Sequence, residues 1–201
     1  MEMRTMRTCI AVASLFVLLG SSGCGSSPSS LTPEQYGAKY QFSSTTISGW
    51  AQDTAAGPLW AGTDLVGAGG LDGGAGVYTD GPTGPNTRGF KMAMFQNLQG
   101  PGDNYCTFWA MDFGTAANAA AIFSYQKGQH NATVAIPPYD LSVAAGDIEQ
   151  YADNVYATFG TSYFELQFSG FGDQTSTTGT GCTTLCTTAA NFLAVLKAKT
   201  N

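Results

Sequence analysis

Charge is scarce in this chain of 201 residues: 11% of it is Asp, Glu, Lys or Arg, under half of the roughly 25% usual in soluble proteins. Low charge together with 12% aromatic residues excludes a disordered polymer, which has the opposite balance. Basic residues are scarcest, 8 against 14 acidic for a formal charge of −6. That excludes the basic stripe nucleic-acid binding requires. There is a single histidine, His130, so Ser–His–Asp or Cys–His chemistry would have to use that one residue. Neither a Gly-x-Ser-x-Gly elbow nor a Gly-Lys-Ser/Thr phosphate loop occurs. No apolar run approaches the roughly 20 residues that span a bilayer. What the chain has in excess is glycine, 26 residues, and the Gly/Ser/Thr-rich surface this implies is commoner outside the cytoplasm.

The first residues form an export signal. Arg4 and Arg7 precede an apolar run of 12 residues, Cys9 to Gly20, which ends in Ser21-Ser22-Gly23-Cys24. A basic start, a short apolar stretch and small residues at the cut site define a secretory leader. Residues 21–24 resemble the lipobox of bacterial lipoproteins, with Ser21 where that pattern usually has Leu or another aliphatic residue. The resemblance implies cleavage after Gly23, acylation of Cys24 and attachment to a membrane through lipid. Three parts are expected: a signal peptide over 1–23, a flexible Gly/Ser/Pro tether over 24–33 and one folded domain over 34–201. Loss of residues 1–23 removes Arg4, Arg7 and Glu2, leaving six basic and thirteen acidic residues. Attraction of so acidic a chain to anionic lipid is not expected, so the attachment rests on the acyl chains.

With Cys24 lipidated, Cys106, Cys182 and Cys186 remain. An oxidising compartment allows them one bridge. Cys182 and Cys186 share a face if their segment is helical, near the upper limit of a bridgeable separation; Cys106, in a strand, is the alternative partner for either. No metal site is expected, since zinc would need His130 as a fourth ligand from far along the chain.

Organisation is clearest in the second half. Residues 39–50 suggest a strand, and residues 67–89, with 9 Gly and 2 Pro, suggest loops and tight turns around a short strand at Gly76–Thr79. Phe90–Gln96 and Asn104–Phe113, separated by Gly100-Pro-Gly-Asp-Asn104, predict a hairpin. Thr115 is a plausible N-cap for an alanine-rich helix over 116–127. A second hairpin, 154–159 and 162–171, turns at Gly160-Thr161; Tyr163, Glu165, Gln167 and Ser169 face one way and Phe164, Leu166 and Phe168 the other. After a polar loop over 172–181, residues 183–199 predict a helix with Leu185, Ala189, Phe192, Leu193 and Leu196 on one face and Lys197 and Lys199 in the last turn.

Strand–strand–helix thus occurs twice, and the helical stretches 116–123 and 189–196 echo each other. The expectation is an α+β fold, an antiparallel sheet with two helices on one face, built from a duplicated unit. Leu71-Asp72-Gly73-Gly74-Ala75-Gly76-Val77-Tyr78, followed by Met111-Asp112-Phe113-Gly114-Thr115-Ala116, is similar to a group of secreted bacterial proteins with an Asp/Asn-Gly-Gly-Ala-x-x-Tyr segment and an Asp-x-Gly-Ser/Thr helix start. The resemblance spans residues 60–170 and implies an envelope location and a duplicated α+β fold, with no activity attached.

Candidate sites are few. Gly67-Ala-Gly69 lacks the third glycine and the following helix of a dinucleotide loop. Asp64, Asp72 and Asp80 are too widely spaced for one calcium loop. Asn131-Ala-Thr133 fits a glycosylation acceptor, of use only in a eukaryotic secretory pathway. Asp112, between Trp109 and a helix start, caps backbone N–H groups or serves as one of two carboxylates in a hydrolase. The aromatics exceed a small core's needs, and Trp50, Trp60, Tyr78 and Trp109 are the binding candidates. No cofactor is expected. The leading expectation is a lipid-anchored, non-enzymatic envelope module at the outer membrane or cell surface, binding an envelope protein or small ligand over an aromatic sheet face. The alternatives are a carboxylate-dependent hydrolase and a structural assembly component.

Overall fold

The computed structural model describes residues 31–63, 88–128, 133–135, 142–144, 152–171 and 183–201. The leader, Cys24, the tether up to residue 30, the glycine-rich stretch with Tyr78 and its echoed strand, His130, the polar loop 172–181 and Cys182 lie outside them.

The chain enters through a helix, α1 (Pro33–Tyr40), which begins inside the stretch expected to be tether and occupies the start of the expected 39–50 strand. Its causes are local. Thr32 is the N-cap; its Oγ1 accepts from the Gln35 N–H at 3.3 Å, and Gln35 Oε1 accepts from the Thr32 N–H at 2.9 Å. This reciprocal capping box satisfies two otherwise orphaned donors, and Pro33 at the first helical position loses nothing by lacking an N–H. Tyr36 and Tyr40, four apart, then fall on one face and are both buried. Beyond Tyr40 the chain continues through turns rather than a strand. Buried Gln96 holds it there: its amide donates to Phe42 O and accepts from Phe42 N–H, each at 2.9 Å.

Among the described residues, eight strands follow in one antiparallel sheet: β1 (Ala51–Gln52), β2 (Trp60–Gly62), β3 (Met92–Gln99), β4 (Tyr105–Asp112), β5 (Thr133–Ala135), β6 (Ser142–Ala144), β7 (Ala152–Phe159) and β8 (Ser162–Ser169). Helix α2 (Ala116–Gly128) lies between β4 and β5, and α3 (Thr183–Thr200) follows β8. The order across the sheet is β1-β3-β4-β8-β7-β6-β5, with β2 also paired to β3. Both expected hairpins form, and β4 joins β8 along their whole length, from Tyr105 opposite Ser169 to Asp112 opposite Ser162.

Because side chains alternate along a strand, the sheet divides the core in two. Met94, Leu98, Cys106, Phe108, Ala110, Val155, Ala157, Phe164, Leu166 and Phe168 point to one face. There they meet Tyr36 and Tyr40 of α1 and Leu185, Ala189, Phe192, Leu193 and Leu196 of α3, the stripe read from the sequence. Ala93, Trp109, Met111, Tyr156 and Tyr163 point the other way and are covered by Ala119, Ile122 and Phe123 of α2. The α+β fold with an antiparallel sheet is therefore present, but the two expected helices do not share a face. The pair that shares one is α1 with α3, and α2 lies alone on the opposite side.

That placement gives the duplication no support. The β4–β8 pair is antiparallel, so a two-fold axis relating the hairpins would stand perpendicular to the sheet and leave both following helices on one face. Instead α2 and α3 flank the sheet from opposite sides. The alanine echo reflects two helices that each pack small residues close to strands.

Candidate functional site

Where β3, β4 and β8 reach the Met92–Asp112–Ser162 end of the sheet, a cavity of about 510 Å³ opens. It is within the usual size of small-molecule sites. Its walls come from five places: Leu31, Tyr36, Lys39 and Tyr40 around α1; Lys91 and Met92 at the start of β3; Asp112 and Gly114 after β4; Gly160, Thr161 and Ser162 at the second hairpin turn; and Thr200 at the end of α3.

The floor is a line of hydroxyls whose direction can be deduced. Thr200 Oγ1 donates its one proton to Leu196 O at 2.8 Å, so it accepts from Tyr40 OH at 3.3 Å. Tyr40 must then accept from Ser162 Oγ at 3.3 Å, and Ser162 accepts from Tyr36 OH at 3.0 Å. All four protons are committed within the protein. Tyr36 heads the line, and its oxygen is left as an acceptor at the cavity. Burial pushes the Tyr36 phenol well above its ordinary pKa, and the negative charge of Asp112 adds to that rise. Tyr36 therefore stays protonated and neutral at the head of the line.

The rim carries charge. Lys39 and Lys91 are exposed, Lys39 with its Nζ 5.2 Å from the Tyr40 ring centroid. Asp112 is half-buried; its Oδ1 accepts from the Gly114 N–H at 2.9 Å, a bond within the turn before α2 and not a cap on the helix itself. Gly114 takes φ +73°, and a Cβ there would meet Lys91 Cε at 2.9 Å. Glycine at this corner keeps Lys91 free to lie along the rim. At the same end, Lys199 donates to Gln41 O at 2.5 Å, and Lys197 is in the same last turn of α3.

The residues singled out by sequence are dispersed. Trp50 is 4% exposed and is a core residue, stacked on Phe171 and edge-on to Phe168 and Phe192. Trp109, 6% exposed, lies in the core under α2, tilted against Phe95. Trp60 is half-buried against that same cluster; Tyr78 and Cys182 are outside the described residues. Cys106 is a free thiol in the core, which corrects its candidacy as a disulfide partner; burial pushes its pKa well up. Of the earlier candidates only Asp112 reaches the cavity. Tyr36, Tyr40, Ser162 and Thr200 were missed. The one sequence signal for them was the capping box at Thr32–Gln35, which sets a tyrosine pair at helical spacing. Among the described residues no group of His, Cys, Asp and Glu could hold a metal ion, and no helix is long and apolar enough to cross a membrane.

No family model and no curated protein matches the sequence. Among solved structures, the extracellular domain of PknH from Mycobacterium tuberculosis is similar to this chain, with a TM-score of 0.52 at 13% identity, over 85% of this chain and 97% of that one. At that identity the likeness is one of fold.

Proposed function

We propose that this chain is an exported envelope module, held to a membrane by lipid on Cys24, that binds a small ligand in the cavity at the Met92–Asp112–Ser162 end of its sheet. The cavity carries the reading: it joins apolar walls (Leu31, Met92 and the tyrosine rings) to a few convergent polar groups, the composition of ligand sites in general. Export is supported by the leader and lipobox-like segment, and by the fold shared with an extracellular domain. Outer membrane or cell surface is the destination this implies. A Cys182–Cys186 bridge belongs to the same proposal, supported by Cys106 being a free thiol sealed in the core.

A carboxylate-dependent hydrolase is the second reading, favoured by the position of Asp112 on the cavity wall. Asp112 is the one carboxylate among the described lining residues, whereas that chemistry uses two. Binding is the better account.

Two measurements on full chain extracted from membranes test the proposal. Intact mass before and after reduction should show cleavage after Gly23, added acyl mass and one disulfide. Solvent extraction of the purified protein should release a bound small molecule that is missing from Thr161→Trp, which fills the cavity from the half-buried side of the second hairpin turn. An unprocessed chain in the cell interior, or the same molecule bound equally by Thr161→Trp, would overturn it.

A further inference from the structure

We infer that the cavity takes the headgroup of an anionic membrane lipid, a phosphate carrying free hydroxyls, and that this end of the domain faces the bilayer. The inference rests on the anchored binding module proposed above and adds the ligand's chemistry and the molecule's orientation.

Charge placement is the first argument. Only six basic residues follow Cys24, and four of them are at one end of the molecule. Lys39 and Lys91 line the cavity. Lys197 and Lys199 occupy the last turn of α3, beside the lining residue Thr200. Among the described residues, Asp103 in the β3–β4 turn and Asp53, bonded through its N–H to Asn97 O, are at the opposite end of the sheet. Among the described residues, then, four cations gather at the cavity end against Asp112, and an end so charged turns to an anionic surface.

Tether geometry agrees. Leu31 lines the cavity and is seven residues from Cys24. Seven extended residues reach about 25 Å at most, so acylation of Cys24 holds this end, and not the opposite one, close to the headgroups.

Complementarity inside the cavity narrows the ligand. Lys39 and Lys91 supply cations for a phosphate at the mouth. Beneath them, Asp112 and the Tyr36 oxygen are acceptors, suited to hydroxyl donors rather than to a second anion. Leu31 and Met92 provide apolar surface for the first methylenes of an acyl chain. A glycerol- or polyol-phosphate headgroup meets all three conditions; a bare phosphate meets one.

The test uses the full mature chain in neutral detergent, titrated with dioctanoyl-phosphatidylglycerol, dioctanoyl-phosphatidylcholine and glycerol 1-phosphate, and read by thermal melting. Phosphatidylglycerol should raise the melting temperature saturably. Lys39→Glu/Lys91→Glu should weaken that response about tenfold or more, and Thr161→Trp, which keeps the charges, should abolish it; both variants must melt near the parent without lipid. Equal response to phosphatidylcholine, or to glycerol 1-phosphate at the same concentrations, overturns the inference by removing the charge or the membrane requirement. Indifference to the lysine changes overturns it too. A different, uncharged molecule displaced by Thr161→Trp would refute the lipid assignment while leaving a binding module standing.

Discussion

Single residues fix the geometry where two chain segments are forced close. Gly170 follows β8 with φ +84°, and a Cβ there would be 1.9 Å from Asp103 O in the opposite turn. Gly57, at φ +110°, has nothing within 4 Å of that position. Gly170→Ala should therefore lose at least about 3 kcal/mol, from backbone strain plus the collision. Gly57→Ala should lose about 1 kcal/mol from strain alone. Urea unfolding of the pair separates the contributions, and equal losses would contradict the contact. Buried acids of high pKa set a second expectation. Tyr36, Tyr156 and Cys106 are all raised by burial, so the folded state holds protons that the unfolded chain releases. Their stabilisation is complete below the unfolded values, about 8.5 for a thiol and about 10 for a phenol, and is lost as pH rises beyond them. Lys199, lowered by burial, acts in the opposite sense but cancels in a comparison with Cys106→Ala. That variant should delay the alkaline loss of stability from about pH 8.5 to about pH 10; identical profiles would show that Cys106 is accessible to solvent.

At the scale of elements, the three helices differ in how they are held. Helix α3 places five apolar residues in the larger core and shares that face with α1. Helix α2 covers the smaller cluster through Ala119, Ile122 and Phe123, and its N-terminus is held by Thr115, whose Oγ1 accepts from the Asn118 N–H at 3.2 Å. Regions with fewer buried apolar contacts open at lower free energy. Native-state hydrogen exchange should accordingly show α2 amides opening well below the free energy of the β4 and β8 amides at the sheet centre. Simultaneous exchange of all three would mean that the sheet has no separable second layer. The hairpins and the two long helices were legible because each carries its own period, 2 for strands and 3.6 for helices, with glycine turns between. Helix α1 was not, because eight residues hold barely two turns and their periodicity is drowned by scattered aromatics. Its capping box was the stronger signal.

For the whole molecule, the distribution of charge matters more than its sum. A chain with six basic and thirteen acidic residues after Cys24 gives no reason to expect an anionic ligand. Folding changes that by carrying Lys39, Lys91, Lys197 and Lys199 to one end, from positions up to 160 residues apart. The aromatic candidates moved the other way. Trp50 and Trp109 were read as surplus to a small core, yet a sheet covered on both sides has two cores to fill, and each takes one of them.

What the sequence determined by itself is what depends on neighbours along the chain: the two hairpins, helices α2 and α3, the faces of β8, and the cap at Thr115. Each is governed by a dihedral preference or a hydrogen bond spanning a few residues. Only the tertiary structure decided which face each helix covers, that Cys106 is sealed away as a thiol, and that Tyr36, Ser162, Tyr40 and Thr200 form one line of hydroxyls. Those outcomes depend on strand order. By setting β8 against β4, the sheet brings Ser162 beside Asp112, where α1 and α3 close over them; no local period in the chain encodes that meeting.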